Sequence, residues 1–100
     1  MRVIAKKNAE AYWRTHPETE AALRLWLAVA SKAEWASMND VQARWRKAKV
    51  LNGERVRFEV AGGDYRLVAA FKFGAGIVWI KFIGTHAEYD RIDALTVSQF

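Results

Sequence analysis

His86 and Tyr89 stand three residues apart in the stretch GTHAEYDRID, directly after the apolar run IVWIKFI. On one helical turn, residues at that spacing share a face. An imidazole and a phenol presented together can move protons near neutral pH. Thr85 and Glu88 have a simpler reading, since Thr-x-x-Glu is the spacing of a helix capping box. The other histidine, His16, precedes the single proline, Pro17. It reads as a polar residue at a joint between two helices. No His, Asp or Glu cluster has metal-ligand spacing, and no glycine-rich loop precedes a helix to cradle a nucleotide. Ser31, Ser37 and Ser98 lack an activated context. With no cysteine there is neither thiolate chemistry nor a disulfide. No cofactor is expected.

These residues must be positioned by the elements around them. Lys6 to Thr15 reads as a short helix. A second helix opens at Pro17-Glu18, with Glu20 a further acid in its first turn. Ala22, Leu23, Trp26, Leu27 and Ala30 form its apolar stripe. A third short helix lies in SMNDVQARWRKAKV, capped by Asn39 or Asp40, with Val41 and Trp45 on one face. Trp13, Trp26, Trp35 and Trp45 belong mostly to the core, Trp45 being the exception to consider because cations surround it.

After Val50 the period changes to two. Val56, Phe58 and Val60 alternate with Arg55, Arg57 and Glu59. Gly62-Gly63-Asp64 signals a hairpin. The strand YRLVAAFKF, a turn GAG and the strand IVWIKFI complete an antiparallel meander. VIA near Met1 can add an edge strand. Helices first and strands later predict a single α+β domain over residues 1–100.

Strict alternation puts Tyr65, Leu67, Ala69, Phe71 and Phe73 on the helix-facing side, with Val78, Ile80 and Phe82. The opposite face then collects Arg55, Arg57, Glu59, Arg66, Lys72, Trp79 and Lys81, and Ile83 falls on the same side as Trp79. A face of cations with one acid and one indole suits single-stranded RNA: cations hold phosphates and a flat ring stacks on a base. Arg44, Arg46, Lys47 and Lys49 make the third helical segment strongly basic, either a solvated face or a surface for phosphate or an acidic partner. The whole chain has 16 Lys and Arg against 11 acids, a net charge of +5, which favours a polyanionic partner. A hydrophobic fraction of 52% argues against disorder. No apolar run is long enough to span a membrane and no export signal is evident at Met1, so the cytoplasm is the expected location.

The stretches MRVIAKK, YRLVAAFKF and above all IKFIGTHAEYDRID resemble the HigB-type toxins of the RelE/ParE superfamily, in the same order along nearly the whole chain. The resemblance implies a small antiparallel sheet with helices packed on one face. It implies the toxin of a type II toxin–antitoxin pair, an mRNA endonuclease working on the translating ribosome without a metal ion. Its partners would be mRNA, the ribosome and a helix-turn-helix antitoxin of the HigA type, with operator DNA reached only through the antitoxin complex. By the same resemblance Arg66 matches the arginine at the scissile phosphate. His86 falls at a catalytic basic or histidine position, and Tyr89 at a tyrosine that stacks on RNA or helps proton transfer. Glu59 departs from the family, where relatives carry lysine or asparagine. Lys72 stands two residues beyond a usual strand lysine, with Ala70 in that place.

RNA carries its own nucleophile, the 2′-hydroxyl. Cleavage needs a base, cations at the phosphate and an acid for the leaving oxygen. On this reading Arg66 and Lys81 hold the phosphate, with Arg57 or Lys72 assisting. His86 is the acid or base, Glu59 the rival base, and Tyr89 stacks or donates a hydrogen bond. Arg55, Arg57, Lys72, Trp79, Arg46 and Lys47 bind the RNA strand. Two other functions fit the same charge: a RelE/ParE-fold toxin that binds gyrase, or a non-catalytic RNA- or ribosome-binding module. The imidazole beside Tyr89 favours the nuclease.

Overall fold

The computed structural model describes residues 1–100. Strand β1 (Arg2–Ile4) leads into α1 (Lys6–Thr15), α2 (Glu20–Lys32) and α3 (Met38–Arg44). Strands β2 (Lys49–Val50), β3 (Arg55–Val60), β4 (Tyr65–Lys72) and β5 (Ile77–Thr85) follow, then one helical turn, α4 (His86–Tyr89). The five strands make one sheet in the order β1-β5-β4-β3-β2. The expected α+β architecture is present. The sheet is mixed rather than purely antiparallel, because the edge strand β1 pairs parallel to β5.

Two helix starts differ from the sequence reading. Pro17–Thr19 forms a separate 3-10 turn, so α2 begins at Glu20. Thr19 is buried and its hydroxyl donates to the His16 carbonyl at 2.7 Å, which holds that tighter turn. α3 starts at Met38, before Asn39 and Asp40. Asp40 instead lies inside the first turn and accepts from the Ala36 N–H at 2.9 Å.

Leu23, Trp26, Leu27 and Ala30 turn one stripe of α2 into the core. There Phe58 is the hub: Trp26 meets it edge-on at 5.4 Å, Trp45 at 6.2 Å, and Phe71 lies 6.4 Å away. Burying a side chain of that size contributes about 1.5–3 kcal/mol. The core therefore fastens the helices to β3 and β4 and leaves the other sheet face to carry polar groups.

The alternation expected along β5 breaks at Lys81. Val68 pairs with Phe82, but the next residue, Ala69, pairs with Ile80, so Lys81 is an extra residue in β5. Such a bulge turns over everything beyond it. Ile83 joins the core at full burial, paired with Leu67, and Phe82 lies on the opposite face beside Val68. The expectation that Phe82 faces the helices and Ile83 faces away is corrected accordingly.

Ile83→Ala should therefore cost about 2–5 kcal/mol in urea unfolding, as for a core isoleucine. A loss below about 1 kcal/mol would mean that Ile83 faces outward and β5 has no bulge.

Candidate functional site

The register sets the polar face out in rows. Glu59, Arg66 and Gly84 are aligned across β3, β4 and β5. The next row is Arg57, Val68 and Phe82, and beyond the bulge come Arg55, Ala70 and Trp79. The predicted residues thus divide between two ends of one face.

Arg66 anchors the first end. It is only 7% exposed. Its Nη1 donates to the carbonyls of Gly63 and Tyr65, its Nε has no partner, and no ion pair in the chain includes it. A guanidinium stays protonated at any ordinary pH. A buried charge is costly unless something compensates it, so an anion arriving here is stabilised. Arg57 has one Nη2 hydrogen bond, 3.3 Å to the Lys47 carbonyl, and lies 3.7 Å from Glu59 Oε2. Glu59 is therefore already engaged by a cation. Arg46 and Lys47 are exposed in the loop after α3, on the far side of Glu59.

α4 begins two residues after Gly84, the strand partner of Arg66. A Cβ at Gly84 would sit 2.5 Å from Cζ of Phe82, so any larger residue there would have to displace that ring. The Phe82 ring in turn lies 6.3 Å from that of Tyr89. The capping box is formed in full, with the Thr85 hydroxyl accepting from the Glu88 N–H at 3.1 Å and Glu88 Oε1 accepting from the Thr85 N–H at 2.8 Å. That backbone donation holds the Glu88 carboxyl below the usual carboxylate range. The His86 N–H donates to the Asp64 carbonyl at 3.0 Å, which ties α4 to the β3–β4 turn next to Arg66. The His86 side chain is 54% exposed, and its Nδ1 lies 3.1 Å from Asp90 Oδ2. Histidine and tyrosine thus share a one-turn helix braced against the Arg66 end of the sheet.

Lys81 stands three residues before Gly84, roughly 10 Å along the strand. With Arg55, Lys72 and Trp79 it lines a separate recess of about 460 Å³ at the other end of the face. Arg55 is occupied: its Nη1 donates to the carbonyls of Ala94 and Val97 at 3.0 and 2.8 Å. Further along the same segment, Gln99 pairs with β5 beyond the end of β1, through Lys81 O and Ile83 N, each at 2.9 Å. Residues 94–99 thus run from Arg55 on β3 to the outer edge of β5. Sequence reasoning gave no hint of this, because it depends on where β1 stops.

A second cluster also went unnoticed. Tyr12 and His16 stack at 4.1 Å, and Tyr65 meets both edge-on. The Tyr65 hydroxyl donates to Glu18, which pulls the Glu18 carboxyl down and pushes the Tyr65 phenol up. Burial, followed by the charge of Glu88, pushes Tyr12 up to about 12. The only sequence cue was the i, i+4 spacing of Tyr12 and His16. This cluster braces α4 from the helical side, since Tyr65 pairs with Thr85.

Elsewhere, no three His, Asp or Glu side chains come together as a metal site, and no helix is long and apolar enough to cross a membrane. A family model described as HigB_toxin, RelE-like toxic component of a toxin-antitoxin system, matches residues 19–92. No curated protein matches the chain.

The cap predicts how this end of the molecule responds to mutation and acid. Thr85→Ala should lower stability by about 1 kcal/mol in urea unfolding. Glu88 has its pKa depressed in the folded state, so its contribution is present above the unfolded value and is lost as pH falls through the folded one. The protection factor of the Thr85 amide, corrected for intrinsic exchange, should be high at pH 6 and fall as the pH is taken below the ordinary carboxylate range. A protection factor unchanged down to about pH 2 would show that Glu88 does not hold the turn.

Proposed function

The chain belongs to the HigB family of RelE-like toxins, the toxic component of a toxin–antitoxin system, and we propose that it acts as an endoribonuclease on mRNA during translation. Such a system implies a cognate antitoxin. We take that partner to be a helix-turn-helix protein of the HigA type, through which alone operator DNA is reached, and the site of action to be the ribosome in the bacterial cytoplasm. One observation carries the nuclease reading: a buried guanidinium, Arg66, with no acidic partner, beside a helical turn bearing an imidazole and a phenol.

In this mechanism Arg66 holds the scissile phosphate, with Arg57 assisting from the neighbouring row. Asp90 accepts the Nδ1 proton of His86 and so leaves Nε2 free to take a proton. His86 removes the proton of the substrate's 2′-hydroxyl, and that oxygen attacks phosphorus. The bond to the 5′ oxygen breaks, that oxygen takes a proton from water, and His86 later returns its own proton to solvent. The products are a 2′,3′-cyclic phosphate and a free 5′-hydroxyl. Because the nucleophile belongs to the RNA, the residues need no metal ion to generate one. Tyr89, against Phe82, stacks on a base or donates a hydrogen bond to the leaving group. Lys72, Trp79 and Lys81 guide the strand at the second recess, where Trp79 offers a stacking surface. Glu59, held by Arg57, is the rival base.

The test is primer extension on a reporter mRNA in a translation reaction. Wild type should produce discrete cuts. Arg66→Ala and His86→Ala should each lower the cutting rate by about 10²- to 10⁴-fold while each variant remains folded by circular dichroism. Wild-type rates in either variant would remove that residue from the mechanism. Intact mRNA with the wild-type protein, together with inhibited gyrase supercoiling, would replace the nuclease with the gyrase-binding function.

A further inference from the structure

A recess of about 420 Å³ opens where the loop after α3 faces the β3–β4 turn. Its apolar floor is Phe58 and the edge of Trp45. Arg44 lies 4.5 Å over the Trp45 ring, and Arg46 and Lys47 complete a cationic rim. The opposite wall is Glu59 and Gly63.

Two features shape the recess. The Trp45 Nε1 is closed off from solvent, so the ring lines the recess with its apolar atoms. Gly63 has φ +94°, and a Cβ there would lie 2.9 Å from Glu59 Oε1. The glycine therefore allows the carboxylate to pack against the turn. The carbonyl of the same Gly63 accepts from Arg66. One turn thus connects the recess to the guanidinium assigned to the scissile phosphate.

We propose that this recess binds one nucleotide of the substrate RNA, next to the phosphate held by Arg66, and that Glu59 selects guanine there. The proposal rests on the nuclease reading above. A volume of this size accepts one nucleotide. The Trp45 and Phe58 rings suit a base, and Arg46 and Lys47 suit its phosphate. Glu59 is the only carboxylate in the lining, and two carboxylate oxygens match two adjacent N–H donors. Among the four bases that pair is offered by the Watson–Crick edge of guanine. Adenine and cytosine offer one amino group without a neighbouring ring N–H. This gives Glu59 a role in base selection, and explains why a carboxylate lies among cations on this wall.

The experiment is an NMR titration of the full chain with guanosine, adenosine and uridine 5′-monophosphates, following the indole N–H signals. Trp45→Phe, which keeps an aromatic wall, assigns the Trp45 signal. That signal should shift saturably, with guanosine monophosphate bound about 10-fold more tightly than uridine monophosphate. Glu59→Gln should reduce the preference to within about twofold, and Lys47→Ala should weaken all three nucleotides alike. No saturable shift with any nucleotide overturns the proposal, and equal affinities in the wild type overturn the role of Glu59. Cleavage of a randomised RNA is scored separately. If the wild type makes no cuts but Trp45 shifts, the recess stands as a nucleotide site and the nuclease reading falls. If it cuts without favouring guanine beside the cut, the proposal falls while the nuclease reading stands.

Discussion

One extra residue in β5, at Lys81, turns the end of that strand over relative to β4. Because side chains alternate along a strand, this single insertion moves Ile83 into the core and Phe82 onto the polar face. Phe82 then lies over Gly84, where a side chain would collide with it, and supports Tyr89. The chain leaves β5 in the direction that lets Thr85 and Glu88 close their capping box. Without the bulge, Phe82 would point toward the helices and α4 would lose its support. The position of His86 and Tyr89 beside Arg66 depends on that insertion.

The same insertion separates the cations. Arg66 is buried and has only neutral carbonyl partners. Lys81 is displaced toward Arg55, Lys72 and Trp79. A uniformly basic face would hold a polyanion at many equivalent points. Here one end has a fixed, desolvated cation and the other has flexible ones around an indole. Electrostatic stabilisation is strongest where donors are held in place away from water, so in the proposed mechanism the end at Arg66 takes the scissile phosphate and the end at Trp79 guides the strand. The segment fastened by Arg55 and Gln99 runs from β3 to the edge of β5.

Much of this was legible in the residues. The helix Lys6–Thr15, the meander, its two glycine turns and the Thr85–Glu88 cap all follow from local rules of period, turn chemistry and spacing. Membership of the family was legible in IKFIGTHAEYDRID. The rest required long-range information. A bulge has no signature in IVWIKFI, since the apolar run reads equally well with or without a slipped residue. The Tyr12–His16–Tyr65 stack draws on α1 and β4, far apart in sequence. Arg55 looks like any other strand cation until the segment at Ala94 and Val97 is seen to occupy it.

The most direct measurement of the central claim is the chemistry of the cut ends. Fragments from a defined RNA would be analysed by mass spectrometry, alongside the same RNA carrying a 2′-deoxy sugar on the 5′ side of the cut. If the substrate's own 2′-hydroxyl attacks the phosphate held by Arg66, the ends are a 2′,3′-cyclic phosphate and a 5′-hydroxyl. The deoxy substrate then stays intact. A 5′-phosphate with a 3′-hydroxyl, or cutting of the deoxy substrate, would show that water is the nucleophile and contradict the account.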